Sequence, residues 1–289
     1  SPSSGSGGAP IRFLVYDWPS AKAATSIANI LIRETLGIHS VMTETIDTVL
    51  EAMLKLSGCE DVDCQTEDTT LVRHAALETW SSAVNELLSF QAAHPEKAPV
   101  DLGSIGYQSE EHVFVSAATV SKAYEETGNS LAYFRGYNRS HHGKAHQYFT
   151  QLADLPEDEF VPCNESKWVN PAFINPYVKY TGDLDGVIEV DGNFHARCHK
   201  NFWIAPSCRH NVSECIPIVT SGYGWLLDTI MMWSSSYGLP TALGVTRNFG
   251  LYVSRISSTN TLFYWWRPDV TFLHLDPEQV IFPRHDADA

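Results

Sequence analysis

The sequence predicts an α/β fold in two lobes, and three observations carry that prediction. Residues 11–16, I-R-F-L-V-Y, form a short apolar run that passes through Asp17-Trp18-Pro19 into residues 22–36, where Ala24, Ile27, Ile30, Leu31 and Thr35 keep helical spacing. The same strand-turn-helix order returns late in the chain, where I-P-I-V-T at residues 216–220 leads through S-G-Y-G-W into L-L-D-T-I-M-M-W. Finally, the chain has 289 residues of which 44% are hydrophobic, enough to build a core in each of two lobes.

Taken in order, residues 1–10 read as a flexible leader of Ser, Gly and Pro. After the first strand and helix, residues 37–43 read as a strand and 48–56 as a helix. Residues 69–74 are expected as a strand leading to Trp80, and 82–91 as an amphipathic helix. Asp17 and Trp18 occupy the turn after the first strand, the end at which open α/β sheets bind ligands, and Trp80 sits at a similar strand-to-helix edge. Trp18 is either a lid over the first helix or a ligand contact. Residues 100–106 and 113–116 are expected as strands and 117–127 as a helix. His142 and His146 lie four apart, but Gly143 stands between them and no acidic third ligand is in register, so a solvated loop is the reading there. Residues 164–209, rich in Asn, Pro, Gly and aromatics, read as an elaboration of the second lobe. At residues 220–224 the serine precedes the glycines, so the G-x-S-x-G elbow of a serine hydrolase is absent; Gly222 and Gly224 would let backbone approach a ligand beside the rings of Tyr223 and Trp225.

Residues 261–269, T-L-F-Y-W-W-R-P-D, are the densest aromatic stretch. Strand alternation sends Phe263 and Trp265 to one face and Tyr264 and Trp266 to the other, leaving one pair free to face something besides the core. Converging ring faces make a seat for a cation that donates no ordinary hydrogen bonds, such as a quaternary ammonium; the alternative is that all four rings are core.

These residues carry a resemblance. Trp266-Arg267-Pro268-Asp269 resembles the W-x-P-H element of the substrate-binding proteins of glycine betaine, choline and proline betaine ABC transporters, departing from it at Asp269. The opening I-R-F-L-V-Y-D-W-P-S-A-K-A-A-T resembles that family's first strand, aromatic turn and helix, and L-E-T-W resembles the segment that supplies a cage tryptophan. V-D-L-G-S-I-G-Y with H-V-F-V-S-A-A-T-V-S-K-A-Y resembles its crossover into the second lobe. The likeness implies a type II periplasmic-binding-protein-like fold, each lobe a mixed sheet flanked by helices with the ligand in the cleft. It implies lobe one at residues 11–113, lobe two at 114–246, a return to lobe one at 247–283, and a tail at 284–289. The implied ligand contacts are Asp17, Trp18, Trp80, Tyr223, Trp225, Trp265, Trp266 and Asp269. No catalytic residue, metal or cofactor is expected, and the implied partner is a small cation: choline, a betaine or a sulfonium analogue.

Charge and cysteines narrow the setting. A net charge of -15 argues against nucleic acid and fits a protein that attracts cations. Six cysteines in polar contexts suit local pairs, Cys59 with Cys64 and Cys208 with Cys215, leaving Cys163 for Cys198; zinc is the rival, but no C-x-x-C occurs. Sequons at Asn138, Asn164 and Asn211 join them in suggesting an extracellular or cell-surface ectodomain. In that setting the module would serve a membrane permease or a receptor signalling domain. A catalytic relative of the fold acting on a similar ligand is the alternative.

Overall fold

A computed structural model describes residues 9–61, 63–68, 71–80, 84–107, 109–138, 144–163, 171–190, 192–221 and 225–283. It is a mixed α/β protein with helices flanking its sheets, and it divides into Ser1–Gln108 and Ser109–Ala289. The Tyr223 contact and the Asn164 sequon fall outside the described residues, as do His142 and the tail.

In the first unit, β1 (Ile11–Tyr16) is followed by α1 (Pro19–Glu34), β2 (Ser40–Ile46), α2 (Val49–Ser57), β3 (Ala75–Ala76) and α3 (Val84–Ala93). Among the described residues its sheet has the order β2-β1-β3 and is parallel throughout, not mixed as expected, because each strand returns by a helical crossover. Thr48 caps α2 by accepting the Glu51 N–H, and Gly58 ends it in the left-handed conformation at φ 68°. Met53, Cys59 and Phe90 then form a small core between α2 and α3. Of the strand expected at 69–74, the described residues 71–74 are not in a strand and β3 forms at Ala75–Ala76 instead, and residues 100–106 form no strand.

The face of α1 that carries its larger apolar residues is not the buried one. Ala21 and Thr25 are buried whereas Ile27, Ile30 and Leu31 are 59%, 51% and 55% exposed. Small residues let the helix approach its sheet closely, and the larger apolar residues lie on the other side.

The second unit opens with β4 (Glu110–Ser116) and α4 (Ala117–Thr127) and continues to α5 (Pro171–Thr181). Next come β5 (Val187–Val190), β6 (Asn193–Ala196), β7 (Cys198–His199), β8 (Phe202–Ile204) and β9 (Ile216–Thr220). The unit closes with α6 (Leu227–Ser236), β10 (Thr241–Val245), α7 (Phe249–Ser258), β11 (Leu262–Arg267), α8 (Phe272–Leu275) and β12 (Pro277–Gln279). Its main sheet has the order β12-β4-β11-β9-β10-β8-β7, with β10 and β11 parallel to β9 and the flanking strands antiparallel. Every residue of β9 and β10 is buried, as suits central strands covered on both faces.

This sheet corrects the expected return to lobe one. Residues 247–283 stay in the second unit, because β11 hydrogen-bonds between β4 and β9 and β12 pairs with β4. The segment 164–209 is more than an elaboration, since its β7 and β8 extend the main sheet beside β10. Cystine bridges join Cys59 to Cys64, Cys163 to Cys198 and Cys208 to Cys215. These three bridges point to an oxidising compartment. Among the described residues no helix is long and apolar enough to cross a membrane.

Candidate functional site

In the second unit the chain leaves β9 toward β10 on one side, while it leaves β11 toward β12 on the other. Two adjacent parallel strands whose connections diverge leave a fork at their carboxyl ends, the position at which open α/β sheets take ligands. The register pairs Phe263 with Val219, so Trp265, Trp266 and Arg267 lie beyond the last residue of β9. There they pair with His112, Glu111 and Glu110 of β4.

An aromatic cluster fills this end. Trp225, five residues past the end of β9, sets its ring 5.4 Å from that of Trp266 and 5.5 Å from that of Tyr264. Asn248 caps α7 by accepting the Leu251 N–H, which starts the helix so that Phe249 and Tyr252 reach the same cluster. Tyr252 stacks on Trp265 at 5.2 Å, and Trp265 stacks on Trp266 at 4.8 Å with their planes 5° apart. The expected division of these rings between two faces therefore does not hold at the end of β11. Nor is either pair free of the core: Phe263, Tyr264, Trp265 and Trp266 are all buried, and Trp225 is the half-buried member.

Polar groups border the rings. Among the described residues the Trp265 Nε1–H has no hydrogen-bond acceptor. Asp269 accepts the Thr271 N–H through Oδ1 at 2.8 Å and so caps the turn after the strand, while its buried Oδ2 accepts no hydrogen bond among the described residues. Its negative charge reaches the cluster: burial first, and Asp269 second, push the Tyr252 hydroxyl well above its ordinary range. Tyr252 donates to the Tyr264 carbonyl. Asp228, in the first turn of α6, is a half-buried carboxyl pushed upward by burial.

The first unit repeats the arrangement. From β1 the chain goes to β2, and β3 lies on the other side of β1, so the carboxyl ends of β1 and β3 stand side by side. Trp18, two residues past β1, is buried and stacks on Tyr16 at 4.3 Å. Its Nε1–H donates to Glu78 Oε1 at 3.0 Å, and the Ser20 hydroxyl donates to the same oxygen at 2.6 Å. Burial pushes the Tyr16 hydroxyl up to about 12. Trp80 is half-buried, two residues beyond Glu78. Asp17 is held by Lys22 at 2.5 Å in a surface pair whose side chains are 38% and 49% exposed, so its charge is offset locally.

Of the expected contacts, then, Trp225, Trp265 and Trp266 come together at one strand end with Asp269 beside them, and Trp18 meets Glu78 in the other unit. Glu78, Tyr16, Tyr252 and Phe249 were missed. L-E-T-W held a signal for Glu78, an acid two residues before the tryptophan, and N-F-G-L-Y held the cap that brings Phe249 and Tyr252 to the cluster. Among the described residues no three His, Cys, Asp or Glu side chains gather as a metal ligand set. Asn211 is exposed, whereas the Asn138 amide donates to the Tyr237 carbonyl at 3.0 Å. No family model matches the chain, and no curated protein matches it.

Proposed function

We propose that the protein is an extracellular solute-binding module that takes a small quaternary ammonium or sulfonium ligand on aromatic rings, for sensing or uptake. The observation that carries the reading is the meeting of Trp225 and Trp266, 5.4 Å apart, at the fork between the carboxyl ends of β9 and β11. Indole faces attract a methylated cation by about 0.5–2 kcal/mol each, so three or four rings, with closure and polar contacts adding the remainder, support micromolar affinity of roughly -8 kcal/mol. The two-lobed type II architecture belongs to the same proposal, supported by an aromatic set at the carboxyl end of the parallel strands in each unit.

The charge beside the rings favours a cation without a carboxylate. Asp269 stands where the resembling family has a histidine, and a carboxylate there repels the carboxylate of a betaine while it can accept the hydroxyl proton of choline. Choline is therefore ranked above glycine betaine. A permease or a receptor signalling domain is the implied partner.

Calorimetric titration with choline tests the reading. Trp225→Leu and Trp266→Leu keep an apolar, though smaller, side chain and remove the indole face, and each is expected to weaken binding about tenfold, roughly 1.4 kcal/mol. Unchanged affinity in both variants would sink the aromatic seat.

A further inference from the structure

Glu78 is an unusual residue to find where it is. It is 7% exposed, and its backbone adopts φ 66°, a left-handed conformation that costs a non-glycine residue about 1–2 kcal/mol. It stands two residues past the end of β3, next to the end of β1, at the fork where this unit's parallel strands would meet a ligand. Its Oε1 accepts from the Trp18 indole and the Ser20 hydroxyl, and a hydrogen bond from Tyr107 to Glu78 joins the burial that raises the Tyr107 hydroxyl above its ordinary range. Three side chains from two separate stretches of the first unit, residues 18–20 and Tyr107, thus converge on one carboxylate. Tyr16, stacked on Trp18 at 4.3 Å, fixes the plane of the indole that Glu78 fixes at its edge.

We propose that Glu78 is the positioning residue of the first unit's aromatic seat, and that it makes the seat select a permanently cationic methylammonium head over an uncharged group of the same shape. The physical basis is the charge-assisted bond from the indole N–H to a carboxylate, which locks the ring and draws electron density toward its face. A ring polarised in this way gains attraction for a cation and none for a neutral tert-butyl group. The inference rests on the reading of these strand ends as a ligand seat.

The test compares choline with 3,3-dimethyl-1-butanol, which carries carbon in place of the ammonium nitrogen, by calorimetry on the whole chain. Glu78→Gln keeps an acceptor oxygen for Trp18 and Ser20 and removes the charge. The wild-type protein is expected to prefer choline by more than about tenfold, and the variant to lose about tenfold of that preference with the affinity for the alcohol unchanged. A second measurement needs no variant of Glu78: in the indole 15N–1H spectrum, with the Trp18 resonance assigned through Trp18→Phe, choline should shift that resonance at a concentration about tenfold or more below the one the alcohol needs. If choline binds but the preference is the same in Glu78→Gln, or the Trp18 resonance stays still, Glu78 is a structural tie only and the inference is overturned while the binding function stands. If the wild-type protein takes up no choline at all, the functional reading fails and carries the inference down with it.

Discussion

Trp265 and Trp225 divide the aromatic cluster into a structural part and a ligand-facing part. Trp265 is fully buried and sandwiched between Tyr252 and Trp266, so both faces of its indole are already used. Trp265→Ala should therefore act on stability, costing about 3–5 kcal/mol in chemical denaturation. Trp225 meets its neighbours chiefly edge-on, at 73° to Phe249, 79° to Tyr252 and 82° to Trp266, and stays half-buried. Trp225→Leu should shift the melting temperature far less than it shifts affinity. Asp269 is the other residue with a specific expectation: choline should displace glycine betaine in competition binding, and Asp269→Asn should narrow the gap between them. A wild-type protein that binds the betaine tenfold better would refute the electrostatic role given to Asp269 and leave the rings untouched.

At the scale of elements, a buried polar network secures α5 to the strands that extend the second sheet. Arg209 holds Asp183 with two bonds of 2.8 and 2.7 Å, the Tyr177 hydroxyl donates to the same carboxylate at 2.5 Å, and Tyr177 also bonds Ser235 on α6. Burial alone would raise the Asp183 carboxyl, but the Arg209 and Tyr177 bonds outweigh it and hold the group below its usual range. A carboxylate whose folded pKa is depressed contributes stability above its unfolded pKa, and that contribution is lost as pH falls through the folded value. Arg209→Met should cost about 2–4 kcal/mol at pH 7, and the gap from wild type should shrink in acid; an equal gap at pH 7 and pH 3 would contradict the assignment. Elements of strong pattern were legible in the sequence: β1, α2, α4 and β9 follow from apolar runs, a Thr cap and turn glycines. The return of residues 247–283 to the first lobe was misread because strand pairing is nonlocal: nothing inside L-F-Y-W-W-R states that its neighbours are β4 and β9. The site was legible as residue types near strand ends, while the stacking of adjacent Trp265 and Trp266, the bond between Trp18 and Glu78, and the approach of Tyr252 all depend on that pairing and on crossover helices.

For the molecule as a whole, the three cystines and the acidic charge set the terms on which any ligand is met. Free-thiol titration of the denatured, unreduced protein should find no reactive cysteine, and two or more per chain would contradict the bridges. Loss of Cys163–Cys198, which spans 35 residues, should cost about 3–4 kcal/mol, against about 2 kcal/mol for Cys59–Cys64, which spans 5. A net charge of -15 favours the approach of cations, so association with a methylated cation should slow as salt rises. The central claim is that the purified chain binds a small methylated cation, and a thermal-shift panel of choline, glycine betaine, carnitine and dimethylsulfoniopropionate tests it most directly. A ligand at 100 times its dissociation constant stabilises by about 2.7 kcal/mol, so at least one of the four, choline first, should raise the melting temperature by several degrees, and a tenfold weaker Trp225→Leu should lose about half of the rise. No shift with any of them at millimolar concentration would contradict the account.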